Sequence, residues 1–600
     1  MSGQRRYLFV PAGGAGEGLG HVTRCLRLAE HLSRARPNAG RRPRIAFLAS
    51  RLDTASRNLL TRGPAARPGA LRPEVLLNLA PGQQWDLVVL DDRSTSKEEL
   101  HLLQGSGPVV CLDEGGQART RASFLIDAIP RLPGGGAPNL SSLSMLELPP
   151  RSRRKTKWPP GKVLVTFGGE DKEDLSSHLL DVLLGRGFFS PQQLTIVEGP
   201  LFKRHDWPAG VTVTRNPPRL SSLLAAFDLV FAHFGITALE AFSTGVPVIL
   251  LNPGPYHDRL GKAAGFPDIG IKAPSAPALT RLLADPAGLQ EKVTAFISKL
   301  DPRRAWGLPF LLSTMQAQGT PRCPVCGRDG NNVLARFKDR TYRSCAGCGV
   351  MYMESFASAK MLYGARYFGQ EYKAHYGRTY LEDFQAIKKV SRERLRVVKA
   401  LIGKTADGAI VDVGCAYGPF LAAAMDDGVP CFGIDVSDEA VAYVRKKLGI
   451  PAVRSSFQAV SRRQLPRRIS ALTLWYVIEH FPDVASVLRK AADLLPTGGI
   501  LAFSTPNGSG ISARKDLRRF LEASPSDHFT IFRPAGLARV LAAHGFELRR
   551  IRVTGHHPER LPGLLGTLGS GAGRRSLERA SRFLRLGDTF EAYAVKVDEP

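Results

Sequence analysis

The sequence predicts an α/β protein made of three doubly wound parallel-sheet units, with a small cysteine-rich module between the second and the third. Three observations carry this. Short apolar runs alternate with helix-period segments over residues 1–315 and again over 405–597. A glycine-rich turn follows the first apolar run of each stretch, at Gly16–Gly20 and at Gly414–Gly418. Between the stretches, Cys323, Cys326, Cys345 and Cys348 form two C-x2-C pairs separated by 18 residues.

Bulk properties bound the function. A chain of 600 residues is long enough for several domains, and 43% hydrophobic with 23% charged residues is ordinary for a globular protein. The 60 glycines and 43 prolines follow no repeat. No apolar run approaches the ~20 residues that span a bilayer. Arg5 and Arg6 precede only a short apolar strand, which does not make a signal peptide, so a cytoplasmic location is expected. The net charge of +28 is dispersed along the chain rather than gathered in a tail. That disfavours a dedicated nucleic-acid tract and leaves room for weak attraction to an anionic membrane surface.

In the first stretch the expected strands include Tyr7–Pro11, Arg44–Ala49, Leu87–Asp91 and Val109–Asp113, then Val163–Phe167, Leu194–Glu198, Leu229–Ala232 and Val248–Leu251. A Pro-, Arg- and Lys-rich stretch from Pro149 to Gly161 divides them into Rossmann-like domains over 1–150 and 160–318. Two such halves form a cleft suited to a nucleotide. The run Gly16-Glu-Gly-Leu-Gly-His-Val-Thr-Arg-Cys-Leu-Arg-Leu-Ala29 opens a helix whose first N–H groups can face a polar ligand. His21 there is either a proton-transfer group or a helix cap. The run, with Val165–Asp171, Asp228–Glu240 and Gly245–Pro247, resembles the UDP-sugar hydrolase of pseudaminic acid synthesis and the spore-coat-type glycosyltransferase-like proteins, which share the two-domain GT-B architecture. The resemblance implies a nucleotide sugar, UDP-linked, bound by Gly20, Gly235 and Glu240, with Glu240 on the ribose and His21 at the chemistry. Two positions depart from the family: Phe234 stands for a glycine and Ile236 for a serine. The family's glutamine is not evident around Tyr256–Arg259. A domain that only binds a glycan or a partner is the alternative.

Residues 319–355 follow. Four cysteine thiolates in two close pairs can surround one tetrahedral Zn2+, with disulfides as the alternative. The connector 356–404 reads as helical and aromatic. The block from Cys323 through Tyr376 resembles the zinc-binding module ahead of some sugar C-methyltransferases. That implies a substrate-enclosing role for Tyr367, Tyr372 and Tyr376, set against plain core packing.

In the last domain, 405–600, a strand ends at Asp412 and leads into a turn with Gly414 and Gly418. The next strand ends at Asp435, placed to accept hydrogen bonds from ribose hydroxyls. Glu479 and His480 follow the fourth strand, as acid–base groups or as caps of the next helix, and His528 is a second base candidate. Trp475–Pro482, Leu495–Gly499, Phe503–Asn507, Asp527–Phe532, Leu537–Leu541 and Gly545-Phe546 resemble the later motifs of class I methyltransferases of the ubiquinone O-methyltransferase and sugar methyltransferase type. The resemblance implies S-adenosylmethionine held by Asp412, Gly414, Gly418 and Asp435. An acid near the adenine is replaced by Ser455 or Ser456, and the aspartate that opens the fourth strand by Ser470 or Ala471. Taken together, the expectation is an enzyme of surface glycan or glycolipid synthesis: one half handles a nucleotide sugar, the other methylates a sugar or its lipid-linked product. The rival is a nucleic-acid methyltransferase with a zinc ribbon.

Overall fold

The computed structural model describes residues 4–13, 19–34, 42–62, 71–130, 135–152, 157–203, 205–217, 219–300, 306–357, 373, 377–402, 407–557, 560 and 578–597. The chain divides into two compact units, Met1–Met315 and Gln316–Pro600.

The first unit holds two parallel sheets. One contains β1 (Arg6–Pro11), β2 (Arg44–Leu48), β3 (Glu74–Leu76), β4 (Leu87–Asp91), β5 (Val109–Leu112), β6 (Phe124–Asp127) and β7 (Leu140–Ser141), in the order β3-β2-β1-β4-β5-β6-β7. The other contains β8 (Val163–Thr166), β9 (Leu194–Glu198), β10 (Thr212–Arg215), β11 (Leu229–Ala232), β12 (Val248–Asn252) and β13 (Asp268–Ile271), in the order β10-β9-β8-β11-β12-β13. Every pairing in both is parallel. The central strands are continuously apolar because helices cover both faces; β4, β8, β11 and β12 are buried throughout.

The second unit opens with an antiparallel meander, β14 (Asn332–Phe337), β15 (Arg340–Ser344) and β16 (Met351–Ser355), joined at its edge by β22 (Thr530–Ile531). The helix Phe384–Leu401 leads into a seven-stranded sheet: β17 (Ala409–Val413), β18 (Cys431–Asp435), β19 (Ala452–Arg454), β20 (Ile469–Trp475), β21 (Ile500–Pro506), β23 (Phe546–Thr554) and β24 (Thr589–Lys596). Their order is β19-β18-β17-β20-β21-β24-β23, with β24 antiparallel to both its neighbours.

All three large sheets reverse direction of winding at one place: β1/β4, β8/β11 and β17/β20. At such a switch point the two following loops diverge and leave a crevice at the C-terminal strand ends. His21, Gly235, the Gly414–Gly418 turn, Asp435, Glu479 and His480 lie at these crevices. Among the described residues no helix is long and apolar enough to cross a membrane.

Candidate active site

At the β17/β20 crevice the chain leaves β17 through a turn in which Gly414, Ala416 and Gly418 have φ of 67°, 47° and 76°. A Cβ on Gly414 would fall 2.5 Å from Cγ2 of Val477, so the turn lies directly against the segment leaving β20. Asp435, at the end of β18, accepts hydrogen bonds from the N–H of Ala416 and of Ser437, each at 2.8 Å. Burial raises its pKa above the usual carboxylate value despite these bonds. Asp412 is engaged inside the sheet: its Oδ1 accepts from the Thr473 hydroxyl at 2.6 Å, and burial pushes its pKa up to about 7. Gly414, Gly418 and Asp435 therefore share one rim of the crevice, while the Asp412 side chain braces β17 against β20.

Across the crevice, the 3-10 turn Ile478–His480 follows β20. Glu479 is fully buried, and neither carboxylate oxygen meets a hydrogen-bond partner; the Thr505 hydroxyl lies near without closing one. Burial pushes its pKa up to about 7, against the pull of His480. His480 Nδ1 lies 3.0 Å from Asp527 Oδ2. Burial disfavours the imidazolium, but Asp527 and Glu479 outweigh it, and the His480 pKa stands above the ordinary value. The His528 ring meets that of His480 edge-on, centroids 4.7 Å apart, and burial with the neighbouring His480 pushes its pKa down to about 3. Ligand-type atoms of Glu479, His480 and His528 lie within 4.8 Å of one another, close enough to share a proton or a small cation. The helix after this turn, Val484–Leu494, is capped by Asp483, whose side chain accepts from Ser486 N–H; Glu479 and His480 are not its caps.

Beside this cluster stand the four cysteines. Cys323 Sγ is 3.5 Å from Cys348 Sγ, Cys326 Sγ is 3.5 Å from Cys345 Sγ, and all four lie within 4.8 Å of one another. Thiolates about 2.3 Å from a tetrahedral Zn2+ stand about 3.8 Å from each other. A disulfide would need sulfurs at about 2.05 Å, and all four are free. The donor set and its spacing fit one structural zinc ion.

In the first unit, the β1/β4 crevice brings His21, on the first turn of the helix Gly20–Arg34, to the end of β4. His21 Nδ1 is 2.6 Å from Asp91 Oδ1, so the imidazole pairs with a buried carboxylate instead of capping the helix. Arg24 binds the same Asp91 through Nε at 2.7 Å and also reaches Asp113. Burial alone would raise the Asp91 pKa; Arg24 and His21 outweigh it and hold the carboxyl well below the usual range. Gly20 has open space where a Cβ would stand. At the β8/β11 crevice, Gly235 precedes the helix Ile236–Thr244, next to His233. Glu240 lies on that helix, buried, 3.6 Å from Arg27 of the helix Gly20–Arg34; burial pushes its pKa up to about 7. Phe234, at the position read as a lost glycine, is 2% exposed and packs on Phe266. Tyr367, Tyr372 and Tyr376 lie outside the described residues.

Two partners escaped the sequence reading. Asp527 stands next to His528 in a block quoted for its resemblance, and Asp91 ends a predicted strand. Each is an acidic residue at a strand end or loop, the one signal that could have marked it. Arg394, on the helix Phe384–Leu401, ion-pairs with Glu591 at 2.9 Å and stacks over the Trp475 ring at 4.5 Å; nothing local announced it.

Comparisons with known proteins bear on the second unit. Residues 383–551 match the family model described as a methyltransferase domain. The chain is 25% identical over 173 residues to a ubiquinone biosynthesis O-methyltransferase of Nitrosomonas europaea, covering 27% of this chain and 74% of that protein. It is 28% identical over 189 residues to the Thiobacillus denitrificans protein of the same name, covering 29% and 80%. A solved putative S-adenosylmethionine-dependent methyltransferase from Listeria monocytogenes aligns with 35% of this chain and 100% of its own, at 13% identity and a TM-score of 0.26.

Proposed function

We propose, on the premise that residues 383–551 are an S-adenosylmethionine-dependent methyltransferase domain, that this enzyme methylates a hydroxyl of a sugar or lipid-linked glycan, and that its first unit handles a nucleotide-activated sugar, UDP-linked. The observation that carries the methyl-transfer half is the buried Glu479–His480–Asp527–His528 cluster facing the Gly414–Gly418 turn across one crevice.

S-adenosylmethionine supplies an electrophilic methyl on its sulfonium. The protein's own share is to hold it and to take a proton. The Gly414–Gly418 turn and Asp435 form the rim that receives the cofactor's ribose. His480 accepts the acceptor's proton, and Asp527, fixed on Nδ1, orients the ring and stabilises the imidazolium that forms. His528, held neutral by burial and the neighbouring His480, meets that ring edge-on without competing for the charge. Glu479, whose pKa burial pushes up to about 7, shifts toward its neutral form as pH falls below that value. The relatives' name, an O-methyltransferase, supports oxygen as the acceptor atom.

In the first unit, the His21–Asp91 pair at one switch point and Gly235 at another support a nucleotide-sugar cleft of GT-B type, with His21 as the base. A second reading has a specific observation behind it. Phe234 fills the space a glycine would leave, and Arg27 sits on Glu240. Both favour a non-catalytic adaptor that binds a glycan. We place the enzyme in the cytoplasm, with at most peripheral contact with an anionic membrane, and disfavour nucleic acid as substrate because the positive charge is dispersed. One experiment tests the whole reading: incubate the protein with methyl-labelled S-adenosylmethionine, a panel of nucleotide sugars, lipid extracts and RNA, and identify the labelled product. Label on RNA alone, or on no glycan fraction, refutes it.

A further inference from the structure

We infer that the four-cysteine zinc site is the positioning device of the methyl-transfer cluster: one metal ion clamps the two chain segments that carry its two halves. The inference rests on the zinc reading above and extends it from local folding to the active site.

The cluster is assembled from two distant segments. Glu479 and His480 come from the turn after β20; Asp527 and His528 come from the loop before β22. Each segment runs directly into a helix that rests on one cysteine knuckle. After His480 the chain enters the helix Val484–Leu494, and Ala485 N–H donates to the carbonyl of Pro324, inside the Cys323–Cys326 knuckle, at 2.8 Å. After His528 the chain passes through β22 into the helix Pro534–Ala542. There Gly536 lies so close to the Cys348 carbonyl that a Cβ would come within 2.6 Å of it, and Arg539 Nη1 donates to the Gly347 carbonyl at 3.4 Å. His544, beyond that helix, reaches back to the Val325 carbonyl at 3.2 Å. Cys323, Val325, Cys345 and Cys348 belong to the same apolar core as Ile478, Val484, Phe532, Leu537 and Leu541.

The meander holds the second segment a further time. β16 pairs with β22, Met353 N–H donates to the Phe529 carbonyl at 2.8 Å, and Arg340 donates to the Glu522 carbonyl at 2.7 Å. The Asp527–His528 loop is thus bracketed by contacts to residues 340–353. A single ion joining both knuckles fixes their separation, and with it the spacing of His480 from Asp527. Without the ion, the two cysteine pairs are left with the Sγ contacts Cys323–Cys348 and Cys326–Cys345, each at 3.5 Å, and the β14–β15 hairpin between them, so the separation of the two segments is less firmly set. The cofactor rim, by contrast, comes from β17, β18 and the turn between Val413 and Gly418. Val413 and Ile434 share the apolar core with the cysteines, while the rim's hydrogen bonds run within the rim itself, from Gly414 and Cys415 N–H to the Ile434 carbonyl and from Ala416 N–H to Asp435. Loss of metal is therefore expected to loosen the acceptor side and spare the cofactor side.

The test uses the full chain. Zinc is removed under mild conditions with a thiol-directed mercurial and a chelator, then restored; metal content is measured at each step. Amide hydrogen exchange is followed peptide by peptide, and S-adenosylmethionine affinity by calorimetry. Expected on removal is faster exchange, by about tenfold or more, over residues 478–486 and 525–537, with residues 409–418 and 431–437 unchanged. Cofactor affinity should stay within about twofold, kcat for methyl transfer should fall, and zinc should restore both exchange and kcat. The variant Cys326→Ser, at the exposed knuckle, should reproduce the pattern without reagents. Protein that never contained zinc would refute the zinc reading. Zinc lost with exchange at 478–486 and 525–537 unchanged would overturn this inference alone. Exchange rising equally everywhere, with cofactor binding lost, would also overturn it, because the ion would then hold the whole unit and not the cluster.

Discussion

Glu479 is the residue on which the chemistry of the crevice is most exposed to test. Its pKa in the fold, about 7, lies above the ordinary 4.5, so the folded protein holds its proton more tightly than the unfolded chain. The stability this brings is complete below about pH 4.5 and is lost as pH rises through 7, because ionising an unpartnered buried carboxyl is costly. The difference amounts to at most about 3 kcal/mol. Glu479→Gln, a neutral shape match, is therefore expected to melt with the wild type at pH 5 and above it at pH 8. Equal melting at both values would mean that the carboxyl is ionised and satisfied. His480→Ala should lower kcat by about 10²–10⁴-fold while calorimetry finds S-adenosylmethionine affinity unchanged. Both residues were legible in the sequence, since Glu-His after an apolar strand end marks the crevice edge. Their partners were not. Asp527 meets His480, and Asp91 meets His21, only because the sheet order brings separate strand ends together, and no local pattern encodes that order.

At the scale of elements, the turn after β17 makes two demands. Gly414 needs a positive φ, and its missing Cβ leaves the space that Val477 fills 2.5 Å away. Gly414→Ala is expected to cost stability by about 1–3 kcal/mol, through backbone strain and a displaced Val477, and to weaken catalysis because Val477 leads into the Glu479–His480 turn. Chemical denaturation and kcat together check this. Asp435→Ala should weaken S-adenosylmethionine binding by about 1–3 kcal/mol in calorimetry, with kcat at saturating cofactor less affected. The long buried strands read correctly from their apolar runs: β4, β9 and β11 have the bounds expected, and others differ by a residue at an end. The short edge strands β3, β7 and β10, two to four residues long and without a fully buried position, carry no apolar signature and went unread; the buried β6, the edge strand β13 and the meander β14–β16 went unread as well.

At the scale of the whole molecule, the chain passes from the first compact unit to the second between Met315 and Gln316. The proposed division of labour makes a separable prediction. His21→Ala should abolish turnover of a UDP-sugar by orders of magnitude and leave methyl transfer in the second unit at the wild-type rate. Loss of both activities would show one shared function instead of two. That a parallel-sheet protein with a cysteine module was legible at this scale follows from composition and spacing. Which strand lies beside which was not, since β24 enters between β21 and β23 and follows 35 residues after Thr554. That insertion also sets a timetable for synthesis. β21 and β23 emerge from the ribosome with no strand between them, and each keeps an unpaired edge until β24 arrives, roughly 2–7 s behind β23 at about 5–20 residues per second. During that interval the nascent second unit offers the bare edges of the apolar β21 and the charged β23 to any neighbour, while the first unit has had its whole sequence available throughout.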